Sequence, residues 1–434
     1  MKRSSVTYHI EHIESFKEKL IIWCSKFKYY SVLKGDTDKS QGMYLQKDMI
    51  VGVDSLSSIS SSKNSLQELK YFYDIKKDWL FGAFSYDLKN EIEDLKSENQ
   101  DHHQFPNLVF FQPKWVFEII GNNISIYYSS QLERSQMRLI FKQIMTQKTE
   151  EVLIKHAPTL NQRITKDQYL NQFEKIIEHI DRGDIYEMNY CFEYFAQNVD
   201  LNTFSIYKDL FAISKPPFSA YFRTDDHHLI CASPERYVKK IGTKIISQPI
   251  KGTKKRGETL EEDEALKKEL YNCSKERSEN VMIVDLVRND LSKFSEKGSV
   301  KVDELYNVYS FKQVHHLIST ISCNLKSNTH WVDVIKDTFP MGSMTGAPKI
   351  MAMKLIEKYE KTKRGLYSGS VGYVTPDGDF DFNVVIRSII FSKSKRFASF
   401  MVGSALTSKS DPLKEYSECE LKAHAMLKVL CKTD

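Results

Sequence analysis

The sequence predicts a mixed α and β protein, and three observations carry that expectation. Lys114–Ile120 and Asn123–Ser129 are strand-like runs joined by Gly121-Asn122, a two-residue turn of hairpin type. Asp167–Arg182 places Tyr169, Phe173, Ile176, Ile177 and Ile180 at helical spacing. Strand-like segments then return at Ala220–Arg223, His228–Ser233 and Lys244–Ile250.

Taken in order, residues 1–150 alternate short strands and helices broken by polar loops. The Ser-rich Asp54–Ser65 and the stretch Lys96–Gln104 read as exposed connections. Polarity rises between 146 and 166, which sets a boundary between an N-terminal α/β region (1–150) and a second region (165–430). A long helix is expected over Thr259–Asp290, with Leu266, Leu270, Cys273, Val281 and Val284 on its inner side. The last third predicts a helix at Lys349–Tyr359, strands at Gly369–Thr375, Phe380–Phe391 and Phe397–Gly403, and a final helix at Pro412–Leu430. There is no internal repeat and no low-complexity tract.

Composition narrows the function classes. The 434 residues are 41% hydrophobic and 27% charged, an ordinary globular balance. A net charge of +5 without a basic run argues against nucleic acid, because phosphate neutralisation needs clustered Lys and Arg. The seven cysteines are scattered and never spaced as Cys-x-x-Cys, which argues against disulfides and structural zinc and for a reducing compartment. The first residues lack the apolar core of a signal peptide, and no apolar run is long enough to span a membrane. A soluble cytoplasmic protein is the expectation.

Several constellations could carry chemistry. Lys251 lies between the apolar Ile245, Ile246 and Ile250 and a glycine, where desolvation would lower its pKa and make the amine nucleophilic. Glu276 and Glu279 share one helix face; Glu415 and Glu418 share another, with Lys422 one turn on. Two such pairs are either solvated faces or, if they meet, a site for one magnesium ion. Gly342–Lys349 precedes a helix and suits an anion at its backbone N–H groups, better a carboxylate than a nucleotide phosphate, since it is not a P-loop. Gly403-Ser404 is a second such cradle. Arg387 is a lone charge in an apolar strand, paired with either a protein acid or a substrate carboxylate. Glu235 is either a buried general acid or a turn residue in a salt bridge. His316 sits among apolar residues, where a satisfied core histidine is the common case.

These segments, in this order, resemble the chorismate-utilising enzymes. The resemblance rests on Ser233–Arg236, Pro249–Thr253, Glu276–Leu291, Phe339–Lys349, Ser368–Ser388 and Gly403–Ala423, with Phe81–Leu95 the most similar stretch of the N-terminal part. It implies an α+β fold of two packed antiparallel β-sheets flanked by helices, with the active site in the cleft between them and 165–430 as the chorismate-binding catalytic domain. It implies Mg²⁺ on Glu279 and Glu418 directly and on Glu276 and Glu415 through water, holding the ring carboxylate of chorismate. Arg387 and Tyr373 would bind the pyruvyl carboxylate with the Gly403 and Ser404 backbone, and Lys422 and Thr345 would line the site. Glu235 would protonate the departing C4 hydroxyl, with His316 packed nearby.

Within the family, the segment around Lys251 is similar to that of the aminodeoxychorismate synthases. There this lysine attacks C2, the C4 hydroxyl leaves, and ammonia then displaces the lysine by attack at C4. Anthranilate synthases, the alternative, usually carry a small residue there. The isochorismate and salicylate synthases place a lysine where this chain has Glu187; the amine-using enzymes are expected to have glutamine, so Glu187 departs from both. No Gly-x-Cys-x-Gly nucleophile segment is present, so ammonia is expected from solution or from a separate glutamine amidotransferase subunit. No pyridoxal-phosphate lyase segment is evident, so 4-aminobenzoate release, on the way to folate, is expected to need another enzyme. No Leu-Leu-Glu-Ser feedback segment is evident, which again disfavours anthranilate synthase. A catalytically silent paralogue is the reading from outside the enzyme class.

Overall fold

The hairpin at Gly121-Asn122 forms as the sequence indicates: Gly121 takes φ +55°, and Ile120 pairs with Asn123. The computed structural model describes residues 3–35, 47–130, 134–148, 158–311 and 314–431. In it the first hairpin strand starts at Leu108 and pairs along its length with Met49–Ser61, across a bulge between Ser55 and Ser57. This long ribbon joins two antiparallel arms.

The first arm runs from Met49–Ser61 through Tyr29–Lys34, Phe218–Thr224, His227–Ser233, Ser388–Ser392 and Phe397–Leu406 to Glu187–Gln197. The second leaves the other edge of Leu108–Ile120 through Leu80–Phe84, Ser370–Val374, Phe380–Asn383, Arg236–Ile241 and Lys244–Gln248 to Val314–Asn324. That last strand also carries Ile250–Lys255 and Lys301–Ser310. Side chains of both arms, Phe222, Leu229 and Met401 with Phe81, Phe111 and Val371, share one apolar cluster. A second cluster packs the helices Ile13–Cys24, Lys166–Asp181, Thr203–Ser214 and Pro412–Leu430 on the first arm. The α+β fold of two packed antiparallel sheets is therefore observed, with strands of 1–150 and of the later region paired in both.

Local signals account for several boundaries. Thr165 and Gln168 form a reciprocal capping box before Lys166–Asp181, which buries Tyr169, Phe173, Ile176 and Ile180. Pro412 follows the capping Asp411 at the start of the last helix.

Three expectations need correction. The Ser-rich Asp54–Ser65 is largely strand, not loop, because its backbone pairs with Leu108–Gln112 while Leu56 turns to solvent. The helix over Thr259–Asp290 is two helices, Leu260–Asn272 and Ser274–Ser292, broken where Cys273 is extended (φ −67°, ψ 109°). The break resets the helical phase, so Glu279, Asn280, Ile283 and Val284 turn inward and Val281 outward. Phe380–Phe391 is likewise two strands, Phe380–Asn383 and Ser388–Ser392, one in each arm, with Arg387 at φ +51° between them.

Candidate active site

The chain crosses from one arm to the other twice at one place. His227–Ser233 lies in the first arm and Arg236–Ile241 in the second, so Glu235 sits on the crossing, after a proline that has no N–H for a ladder. Val384–Arg387 crosses between the same two arms. The crossings bond to each other, Val384 N–H to the Glu235 carbonyl and Ala232 N–H to the Arg387 carbonyl.

Glu235 is buried, and the Ser343 hydroxyl donates to its Oε1 at 2.7 Å. Burial pushes its carboxyl up to about 7, against the opposing pull of Ser343 and Lys251. That is the environment of a general acid working near neutrality, and not of a surface salt bridge. Among the described residues, the Arg387 guanidinium makes no hydrogen bond or ion pair. Burial holds it below its ordinary value, with Tyr367 and Glu418 pulling the other way. Of the two partners open to it, a protein carboxylate is not supplied.

Lys251 is on the strand Ile250–Lys255, beside Gly252, whose φ of +85° makes the bulge against Val314–Asn324. It is buried, and its Nζ donates to Glu187 Oε1 at 2.5 Å. Glu187 is wholly buried, and its Oε2 has no hydrogen-bond partner. The expected fall in the lysine's pKa does not occur. Burial does pull the amine down, but Glu187 and Glu279 outweigh it, and the ammonium is held up at about 12. The backbone beneath Glu187 is fixed by Gly346 and Ala347, which pair with Met188 and Glu187. A side chain at Gly346 would place Cβ 2.0 Å from the Glu187 carbonyl. Arg364 ties the same loop down, donating to Met344 O, Asn189 O and the Glu360 carboxylate.

The two carboxylate pairs meet. Burial raises Glu276, and Glu418 adds to the rise. Burial likewise pushes Glu279 up to about 7, and its Oε1 is buried without a hydrogen-bond partner. Glu415 accepts from Lys275 at 2.8 Å, Glu418 pairs with Lys422 at 2.7 Å, and Lys422 also donates to the Gly403 carbonyl. Among the described residues, the carboxylates 187, 235, 276, 279, 415 and 418 thus gather with the cations 251, 275, 387 and 422, and burial pushes Glu235 and Glu279 among them up to about 7. Among the described residues, no three such side chains stand together as a ready metal cage. Hard carboxylate donors, among them a buried Glu279 Oε1 that has no hydrogen bond and lies 3.7 Å from Lys275 Nζ, fit Mg²⁺, an ion that keeps several waters and is completed by substrate.

His316 accompanies this group: its Nδ1 shares a hydrogen bond with Thr253 Oγ1 at 2.9 Å, and burial, aided by Arg387, pushes it down to about 3. The imidazole is neutral. Thr345 is buried, with its hydroxyl given to the carbonyls of its own turn. Ser404 is buried against Tyr169. Gly342–Ala347 is buried, and the exposed Pro348 leads into the helix Lys349–Tyr359. Tyr373 does not join the others. Its ring packs on Trp79 and Phe81, and it lines a separate cavity of about 70 Å³ with Lys47, Lys239 and Asp381. The tyrosine coupled electrostatically to Arg387 is Tyr367, six positions earlier, a phenol that burial keeps neutral and whose hydroxyl lies 3.7 Å from Cys191 Sγ. Nothing in its local sequence distinguished it.

The fold and this site define a chorismate-utilising enzyme, and residues 27–428 match the family of chorismate binding enzymes, to which the chain belongs. Over 360 residues it is 34% identical to aminodeoxychorismate synthase component 1 of Bacillus subtilis, covering 80% of this chain and 76% of that one. Over 338 residues it is 32% identical to anthranilate synthase component 1 of the same organism, covering 76% and 64%. Anthranilate synthase component I of Streptococcus pneumoniae shares the fold, with a TM-score of 0.78 at 23% identity over 92% of this chain and 95% of that one. No helix among the described residues is long and apolar enough to cross a membrane.

Proposed function

We propose that the chain is the synthase component of an aminodeoxychorismate synthase, converting chorismate and ammonia to 4-amino-4-deoxychorismate for 4-aminobenzoate and folate synthesis. The observation that carries this reading is Lys251, a primary amine buried between Glu187, Glu235 and Glu279. A surface charge has no reason to be there, whereas a nucleophile for ring C2 does. Glu235 holds a proton for the C4 hydroxyl, and the unpaired Arg387 receives the pyruvyl carboxylate. Mg²⁺ held by Glu279 and Glu418 directly and by Glu276 and Glu415 through water would neutralise and orient the ring carboxylate. Ammonia comes from a glutamine amidotransferase subunit or, in the assay, from an ammonium salt, and the protein works in the cytoplasm.

The test is product analysis with chorismate, Mg²⁺ and ammonium, with and without an aminodeoxychorismate lyase. A product that the lyase converts to 4-aminobenzoate supports the reading. Fluorescent anthranilate would show the second reading, anthranilate synthase, which the relatives of that name favour. Lys251→Ala is expected to lower aminodeoxychorismate formation by about 10³-fold or more, the scale of losing a nucleophile, while chorismate still binds. Unchanged turnover would remove the covalent role.

A further inference from the structure

Resting on that reading, we propose that Glu187 is the proton acceptor and donor for Lys251, a catalytic residue that the pattern of its family does not supply. The argument starts from the nitrogen. To form a bond to C2, Nζ must give up one proton and keep its lone pair. Its hydrogen-bonded acceptor is Glu187 Oε1 at 2.5 Å. Glu279 and Glu235 also face the amine, but neither is hydrogen-bonded to it. Glu235 is needed in its protonated form for the leaving hydroxyl and is already held by Ser343.

Glu187 suits the task on two further grounds. Its side chain is wholly excluded from water, so moving a proton from Lys251 turns a buried ion pair into two neutral groups with no solvent to reorganise. Its Oε2 is buried with no hydrogen-bond partner, so among the described residues Lys251 is the one side chain that donates to this carboxylate. A glutamine at this position could accept the same hydrogen bond but could not take the proton.

The step balances as follows. The Nζ proton passes to Glu187, and the Nζ lone pair bonds to C2. The ring π electrons shift, and the C4–O bond breaks as the Glu235 proton goes to the hydroxyl, releasing water. Ammonia then bonds to C4, the C2–N bond returns its electrons to Nζ, and Glu187 gives its proton back to the lysine. The new C4 ammonium reprotonates Glu235.

Glu187→Gln tests this, since it keeps volume and hydrogen-bond acceptor but removes the base. Lyase-coupled kcat is expected to fall by about 10²- to 10⁴-fold, the range for general base catalysis, with KM for chorismate within about 3-fold. Without ammonia, the parent should show by intact mass a Lys251 adduct of chorismate minus water, and Glu187→Gln should not. Formate should restore activity to Glu187→Ala, which a purely structural role would not allow. A kcat within about 3-fold of the parent in Glu187→Gln overturns the proposal. If the parent itself makes no lyase-convertible product, the reading of the function falls instead, so the two failures are distinct.

Discussion

Removing the Ser343 hydroxyl perturbs Glu235 in a direction the structure fixes. The hydroxyl donates to Oε1 at 2.7 Å and so favours the charged carboxylate; Ser343→Ala must raise the pKa further. A hydrogen bond to a charged group contributes about 1.5–3 kcal/mol. Behind Glu235 lies a cavity of about 20 Å³ lined by Ser247, Thr338, Asp290 and Ser343. That is room for about one water, which would partly replace the lost donor and hold the effect near the lower bound. At about 1.4 kcal/mol per pH unit, the carboxyl moves up by about one unit. As a general acid Glu235 must be protonated, so kcat/KM of the parent should fall as pH rises through about 7. In Ser343→Ala that falling limb should lie about one pH unit higher. The assay is initial rate at low chorismate with excess lyase, from neutral to mildly alkaline pH, with Ser343→Thr as the control that keeps a donor. A limb that stays in place, or moves toward acid, would refute the assignment of Glu235 as the acid.

Two further outcomes follow from the same charges. Glu235→Gln should abolish turnover yet stabilise the protein in alkali. A carboxyl whose folded pKa is raised to about 7 contributes nothing unfavourable below its unfolded value, destabilises increasingly as pH rises from there to about 7, and adds no more above it. The variant should therefore gain on the order of 3 kcal/mol above neutrality, vanishing toward pH 4, as read from denaturant melts at several pH values. Arg387→Gln should raise KM for chorismate by roughly 30-fold, from about 2 kcal/mol of lost charged hydrogen bonding, and leave Tm undiminished because the guanidinium has no described partner to orphan. A loss of Tm without a change in KM would place Arg387 in the scaffold.

Most of the proposed catalytic set was legible because chemistry needs particular residue types at particular spacings. Glu235, Lys251, Arg387 and the four helix carboxylates stand in segments whose resemblance to the family implied a common cleft, and the crossings at Ser233–Arg236 and Asn383–Ser388 place Glu235 and Arg387 side by side. What the sequence hid were matters of phase and partner. One extended residue, Cys273, splits the long helix and turns the inner face from Val281 to Glu279 and Ile283. Tyr373 and Tyr367 are both aromatic and six apart, but Tyr373 is on a strand whose register with Phe81 turns its ring toward Trp79. Tyr367 precedes that strand, in the turn that faces Cys191. No local pattern tells these apart, since the register is set by a strand nearly three hundred residues away.

Lys251 shows most clearly where reasoning from one residue fails. Burial alone predicts a depressed pKa and a free amine, and burial is indeed the largest single influence on it. The opposing influence comes from carboxylates on other elements. Glu187 is 64 residues distant in sequence, and Glu279 is on a helix whose break reset its face. Together they hold a charged ammonium in a dry site. A nucleophile kept as its conjugate acid is inert until something removes the proton at the moment of attack. The carboxylate that makes Lys251 charged at rest is therefore also the group placed to discharge it, and the strength of the ion pair and the need for a base are the same fact seen before and after substrate enters. For that reason Glu187→Gln, and not a change in bulk pH, is the perturbation that separates a lysine activated by desolvation from one activated by its partner. If desolvation were the activator, removing the carboxylate would lower the lysine's pKa and quicken the first step.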